Sequence, residues 1–191
     1  MRSVDELLTL TSKLDARYYL LRGEMERSKE TTLLEGARIL KQAGVPYALI
    51  DGGAVQFHCE DGRTTIDIDF AMLEESAIPR VALERAGFRK QGRFEHSENW
   101  MGPDGTPVQF TTDSAYAGVI GAAVAHPLGK TEIRIATPVD LVRTKLRAAA
   151  DDQRRKSKRV QDLADALKLA EDNPGIRAEL TDAERARLDR A

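Results

Sequence analysis

Asp67 and Asp69 stand one residue apart in IDIDFAM (residues 66–72), a run that otherwise alternates as a strand does. Side chains at i and i+2 of a strand share a face, about 6.5–7 Å apart along the chain. The two carboxylates are therefore expected on one face, with Ile66, Ile68 and Phe70 on the opposite, core-facing one. Like charges held this way repel, and one takes up a proton unless a cation lies between them. A hard divalent cation such as Mg²⁺, which takes oxygen ligands, is one reason to hold such a pair. Two aspartates facing solvent from a half-exposed strand are the plainer alternative.

Upstream lies ALIDGGAV (residues 48–55), a strand-like run ending in Gly52 and Gly53 and leading into a helix. Glycine there lets backbone approach a ligand, and amides at a helix start can hold a phosphate. A tight strand-to-helix turn explains the same glycines without a ligand. Together, a phosphate cradle and a carboxylate pair make the two halves of a nucleoside-triphosphate site.

The elements that must position these residues are legible from periodicity. Apolar residues at helical spacing and a Ser3–Glu6 capping box mark a helix over residues 4–25. A Thr32–Glu35 box opens a second helix that runs to Gly44. Strands are expected at Val45–Ile50, at Ile66–Met72, on both sides of the Pro-Asp-Gly turn at 103–105, and at Thr131–Ala136. A helix starts near Pro79 and stops at Gly87, and Thr137, Pro138 and Asp140 open another. Thr181 and Glu184 form a final capping box. The order predicts an α+β fold: a mixed four- to five-stranded sheet flanked by helices, with helical additions at both ends. The divisions are 1–44 for N-terminal helices, 45–137 for the core, and 138–191 for a helical region packed on that core.

Composition narrows the classes. A net charge of −2 over 191 residues advertises no polyanionic partner globally, so any nucleic-acid site is a local patch. One such patch is RRKSKR (residues 154–159), five basic residues in six, with a solvated helix connection as the alternative. A single cysteine, Cys59, excludes an intrachain disulfide and a Cys-rich zinc site. The longest weakly polar run, residues 115–125, is half the length of a membrane span, and Asp5, Glu6, Lys13 and Asp15 leave no N-terminal apolar run of the signal-peptide kind. The expectation is a cytoplasmic protein with no membrane partner.

The pattern Ile50-Asp51-Gly52-Gly53, thirteen residues, then Asp67-Ile68-Asp69-Phe70 resembles the nucleotidyltransferase superfamily with the DNA polymerase β-like fold. GRTTIDIDF looks like the R-x-T-x-D-h-D-h segment of its bacterial uncharacterised and abortive-infection-toxin branches. VDLVRTKLRAA and KSKRVQDLADALKL look like those branches' following helices. The resemblance covers about Val45 to Leu169.

It implies transfer of a nucleoside monophosphate from a nucleoside triphosphate to an acceptor, RNA or protein, with Mg²⁺ as cofactor. A toxin–antitoxin or defence setting and a partner protein are further implications. By the same resemblance, Asp67 and Asp69 would be catalytic metal ligands, and Gly52 and Gly53 would cradle phosphates. Arg63 could lie near a phosphate, a surface arginine being the alternative. Lys145 could bring a cation to the triphosphate, or lie exposed along Leu141 and Leu146. Asp162 reads as part of a solvated helix face.

The superfamily's third carboxylate falls on the strand TPVQFTTD, where the expected position holds Gln109. An amide is a poor metal ligand and cannot be a general base. Asp113, an even number of residues on, is the substitute if the strand extends that far. A catalytically degenerate module that binds nucleotide, RNA or protein is thus the alternative function.

Overall fold

Helix α1 (Glu30–Gln42) leads into strand β1 (Tyr47–Ile50), which passes directly into α2 (Asp51–His58) and returns as β2 (Ile68–Met72). Then come α3 (Arg80–Arg85), β3 (Arg89–Phe94), β4 (Ser97–Met101), β5 (Pro107–Thr111), α4 (Ala117–Ala122), β6 (Val124–Leu128) and β7 (Thr131–Ile135). Four helices close the chain: α5 (Pro138–Ala150), α6 (Lys156–Asp172), α7 (Ile176–Glu179) and α8 (Asp182–Leu188). This computed structural model describes residues 29–60, 65–128 and 131–190. The expected helix over residues 4–25, its Ser3–Glu6 box, and Arg63 lie outside the described residues. Among the described residues no helix is long and apolar enough to cross a membrane.

The sheet is mixed and has seven strands in the order β3-β4-β5-β2-β1-β7-β6. β2 pairs antiparallel with β1 and parallel with β5, while β1 pairs parallel with β7. The expectation of four to five strands is therefore corrected to seven. Its five strands are the interior ones, and the two it lacked, β3 and β6, are the sheet's edges. RKQGRF in β3 is mostly exposed and has no alternation to read, and Pro127 interrupts β6. Charge and proline on edge strands are how sheets discourage further pairing, and they erase the sequence signature of a strand.

β2 is central and buried along its whole length. On one face Phe70 stacks on Phe110 at 5.7 Å between centroids and meets Tyr47 edge-on at 5.6 Å. Gly36 of α1 lets the helix close on Phe70, whose ring would stand 3.1 Å from a Cβ there. On the other side α2 packs against β1, β2, α5 and α6. Leu141, Val142 and Leu146 of α5 and Ala166 and Leu169 of α6 join the same core as β1 and β2. Ile66 departs from its expected place: it is 44% exposed, because β2 begins at Ile68 and residues 65–67 precede the ladder.

Two caps are as the sequence indicates. Thr137 accepts from the Asp140 amide, and Thr181 forms a reciprocal box with Glu184. The start of α1 is different. Instead of a Thr32–Glu35 box, the Thr32 hydroxyl donates to Asp104 Oδ1 at 2.6 Å and its amide to Oδ2 at 3.0 Å. Glu35 pairs with Arg38. A carboxylate from the β4–β5 turn thus serves the orphan amides of a helix 72 residues away in sequence. Gly102 permits this approach, since a Cβ there would fall 2.1 Å from Thr32 Oγ1.

Trp100 is core, as expected, and its indole N–H donates to Glu98 Oε2 at 3.2 Å. Burial would raise the Glu98 carboxyl, but bonds from Arg80 and Lys90 hold it below the usual range.

Candidate active site

Sheet register decides what surrounds Asp69. Ile50 of β1 lies opposite it on one side and Gln109 of β5 on the other. The next residue after Ile50 is Asp51, which has φ +53°, the one non-glycine residue with positive φ among those described. That left-handed turn costs a non-glycine residue about 1–2 kcal/mol, and it swings the chain from β1 directly into α2. Gly52 and Gly53 follow as the buried first turn of that helix. A Cβ at Gly53 would make only ordinary contact with Leu49, at 3.6 Å. Packing alone therefore does not demand glycine at 53.

Asp69 is 8% exposed, and its carboxylate receives no hydrogen bond or ion pair from any described residue. Burial pushes its pKa well above the usual carboxylate range, the Asp51 and Asp67 carboxylates push it further, and Lys145 and Lys158 only partly offset them. Asp67 is half-buried just before β2, and Thr65 Oγ1 donates to its Oδ1 at 2.6 Å. Gln109 takes the position beside Asp69 on β5. Its amide nitrogen donates to Asn99 Oδ1 at 3.2 Å and Ser97 Oγ at 3.4 Å, both on β4. β5 ends at Thr111, so Asp113 leaves the strand register, and its carboxylate instead accepts from the Ala115 amide at 2.8 Å.

Behind Asp51 lies a second group. Lys145 is neither exposed nor lying along the surface: it is 4% exposed. Its ammonium contacts Asp51 and lies 3.0 Å from Asp162 Oδ1 and 3.3 Å from Asp165 Oδ2. Burial alone would lower the Lys145 pKa, but these carboxylates, Asp51 foremost, raise it. Asp162 is likewise 2% exposed rather than part of a solvated face. It also accepts from Arg154 Nε at 2.6 Å, while Gln161 donates to Asp165 at 2.9 Å. Tyr116 lies near the same charges. Burial, reinforced by Asp51, pushes its phenol up to about 12, and the Arg147 guanidinium sits 5.9 Å from its ring centre.

Asp51, Asp165 and Tyr116 are the residues that sequence reasoning passed over. For Asp165 a signal existed. Asp162, Asp165, Ala166 and Leu169 fall at i, i+3, i+4 and i+7, so two acids occupy the apolar stripe of α6. For Asp51 and Tyr116 no local pattern marks the role. A separate cleft of about 520 Å³ lies toward the other end of α2, lined by His58, Cys59, Pro138 and Asn173. None of the carboxylates around Asp69 lines it.

No protein-family model matches the sequence, and no curated protein matches it. Solved structures do. The antibiotic-resistance factor ANT(2'')-Ia is similar over 85% of this chain and 94% of its own, with 14% identity and a TM-score of 0.54. A nucleotidyltransferase candidate from H. pylori is similar over 84% of this chain and 73% of its own, with 18% identity and a TM-score of 0.55. JHP933 from Helicobacter pylori is similar over 85% and 74%, with 18% identity and a TM-score of 0.51. The chain shares its fold with these structures, one of which is described as a nucleotidyltransferase candidate. At these identities the likeness is one of architecture.

Proposed function

We propose that this chain is a divalent-metal-dependent nucleotidyltransferase that moves a nucleoside monophosphate from a nucleoside triphosphate to an acceptor hydroxyl. The observation that carries the reading is Asp69: a buried carboxylate without a donor among the described residues, beside Asp67, under a helix that opens with Gly52-Gly53. A buried, uncompensated charge is costly, and an all-oxygen donor set fits Mg²⁺. Asp67 and Asp69 would hold the ion. When bound, Mg²⁺ supplies charge neutralisation on the triphosphate and polarises the phosphoryl group.

The α2 amides at Gly52 and Gly53 bind phosphate oxygens, and Arg63 is assigned a supporting cationic role toward them. Lys145, engaged by three carboxylates, is a positioning residue that fixes Asp51 and α6 relative to β2. The acceptor oxygen attacks the α-phosphorus, the bond to the bridging oxygen breaks, and pyrophosphate leaves with that electron pair. The hydroxyl proton must pass to a carboxylate or to water, because Gln109 cannot take it.

Gln109 also favours a second reading, a degenerate member of the fold that binds nucleotide, RNA or protein without transfer. Incubation with α-³²P-labelled triphosphates, Mg²⁺ and an RNA or protein acceptor pool separates the two. The first reading expects label on the acceptor, lost in Asp69→Asn and retained in Asp113→Asn. Mg²⁺-dependent triphosphate binding without transfer, with transfer appearing in Gln109→Asp, establishes the second. Absence of both binding and transfer refutes both. The resemblance to abortive-infection toxins extends the proposal to a toxin–antitoxin or defence setting with a partner protein. Growth arrest on expression, relieved by a co-expressed neighbouring gene, tests that extension.

A further inference from the structure

We infer, resting on the nucleotidyltransferase reading above, that the open sheet face running from Gln109 through Asn99 to Phe94 is the acceptor subsite. The groups along it take the terminal nucleotides of a single-stranded RNA.

Sheet register lays out this face. Asp69, Gln109, Asn99 and Gly92 lie opposite one another on β2, β5, β4 and β3, and paired residues share a face. The next rung is Ala71, Thr111, Ser97 and Phe94. Over β1 and β2 helix α2 covers this side of the sheet. Beyond β2 it is open: Gln109, Asn99 and Ser97 are half-buried, whereas Phe110, Trp100 and Glu98 on the core side are buried. Gly52 and Gly53, assigned to the phosphates, follow β1, so the β5 flank of Asp69 is left for the acceptor.

The side chains there suit a nucleotide chain. Gln109 Nε2 donates to Asn99 Oδ1 at 3.2 Å and to Ser97 Oγ at 3.4 Å. Gln109 Oε1 and Asn99 Nδ2 have no partner among the described residues, so a free acceptor stands beside a free donor. Such a pair matches a base edge or ribose hydroxyls. Farther out, Phe94 is 62% exposed, and its ring lies 4.0 Å from where a Cβ at Gly92 would stand. The glycine leaves a clear floor beside an exposed aromatic ring on which a base can stack. Arg89, opposite Met101 on the same face, is exposed, and β3, β4 and β5 place no carboxylate on it. That charge balance favours a polyanion. Three strand spacings, about 14 Å, separate β2 from β3, a span that an oligonucleotide fills and a single sugar ring does not.

The test is fluorescence anisotropy of the full chain with 5′-labelled hexa-adenylate, hexacytidylate and hexauridylate. Phe94→Ala should weaken all three by about 5–150-fold, the loss of one stacked base, and Phe94→Trp should restore them. Circular dichroism checks folding. RNAs with abasic sites in place of the last bases should bind wild type weakly and lose little more in Phe94→Ala. Asn99→Ala should change the ranking of the three RNAs, since amides read base edges; an unchanged ranking removes the amide pair from the subsite. Equal affinity in wild type and Phe94→Ala, or a loss that is the same for abasic RNA, overturns the inference. No RNA binding by wild type, with label transferred to protein, assigns a peptide acceptor and overturns it as well. Calorimetry of Mg²⁺-dependent triphosphate binding by wild type tests the underlying reading separately. Triphosphate binding without a base-dependent Phe94 effect overturns the inference alone. Absence of triphosphate binding removes the nucleotidyltransferase reading and the acceptor role with it.

Discussion

Replacing Lys145 by methionine keeps the length and helix preference of the side chain and deletes the ammonium shared by Asp51, Asp162 and Asp165. Breaking a buried ion pair by removing one partner costs about 3–5 kcal/mol. Two features of the structure moderate this. Asp162 keeps Arg154 at 2.6 Å, and Asp51 is exposed enough to rehydrate. The lower part of the range, about 3–4 kcal/mol, is therefore expected. For a domain of this size each kcal/mol shifts the melting temperature by about 2–4 °C, giving a fall of about 6–16 °C.

The deficit should also depend on pH in a defined direction. Without the ammonium the buried carboxylates repel one another when charged, a penalty that protonation removes. The variant should therefore recover toward wild type on acidification. Manganese should restore it at alkaline pH, since carboxylate oxygens of Asp51, Asp162 and Asp165 lie within 4.8 Å of one another. Calorimetry of both proteins at mildly acid and mildly alkaline pH, with and without MnCl₂, reads all three effects. A fall of less than about 2 °C, or a deficit that is the same at both pH values, would refute the account of Lys145 as the counter-charge of this group.

Asp69→Asn should melt higher than wild type without metal at alkaline pH and show no Mg²⁺ stabilisation. The wild-type carboxyl is raised by burial, Asp51 and Asp67, so its contribution is lost as pH rises through that raised value. Melting curves across pH check this, and parallel curves for the two proteins would contradict it. Gly102→Ala should cost about 2–4 kcal/mol in urea denaturation, combining loss of the Asp104 cap with overpacking against Thr32. Neutralising Arg155, Lys156 and Lys158, which are exposed at the start of α6, should weaken RNA binding. The log–log salt slope should flatten by about 0.7 for each phosphate no longer neutralised, and an unchanged slope would return the segment to a solvated connection.

Local pattern determined what neighbours in sequence could settle. The strand at residues 68–72, the glycines after β1, and the caps at Thr137 and Thr181 each depend on interactions within a few residues, and each was legible. Asp67, Asp69, Gly52 and Gly53 stand close together in sequence because β1, α2 and β2 are consecutive. Gln109 could be placed because its strand carries apolar markers on both sides, and the register confirms its position beside Asp69. The edge strands escaped because a strand paired on one side can be charged or carry proline without penalty. Asp104 reads as a turn residue, and only the approach of the β4–β5 turn to α1 makes it a helix cap. Lys145 and Asp162 look like surface charges in isolation. Their burial depends on Asp51, 94 residues before Lys145, arriving at the same point from another strand. A charge's worth is set by the groups around it and by the water excluded from it. Both belong to the packed chain, so the pairing of these acids with Lys145 was decided by tertiary structure alone.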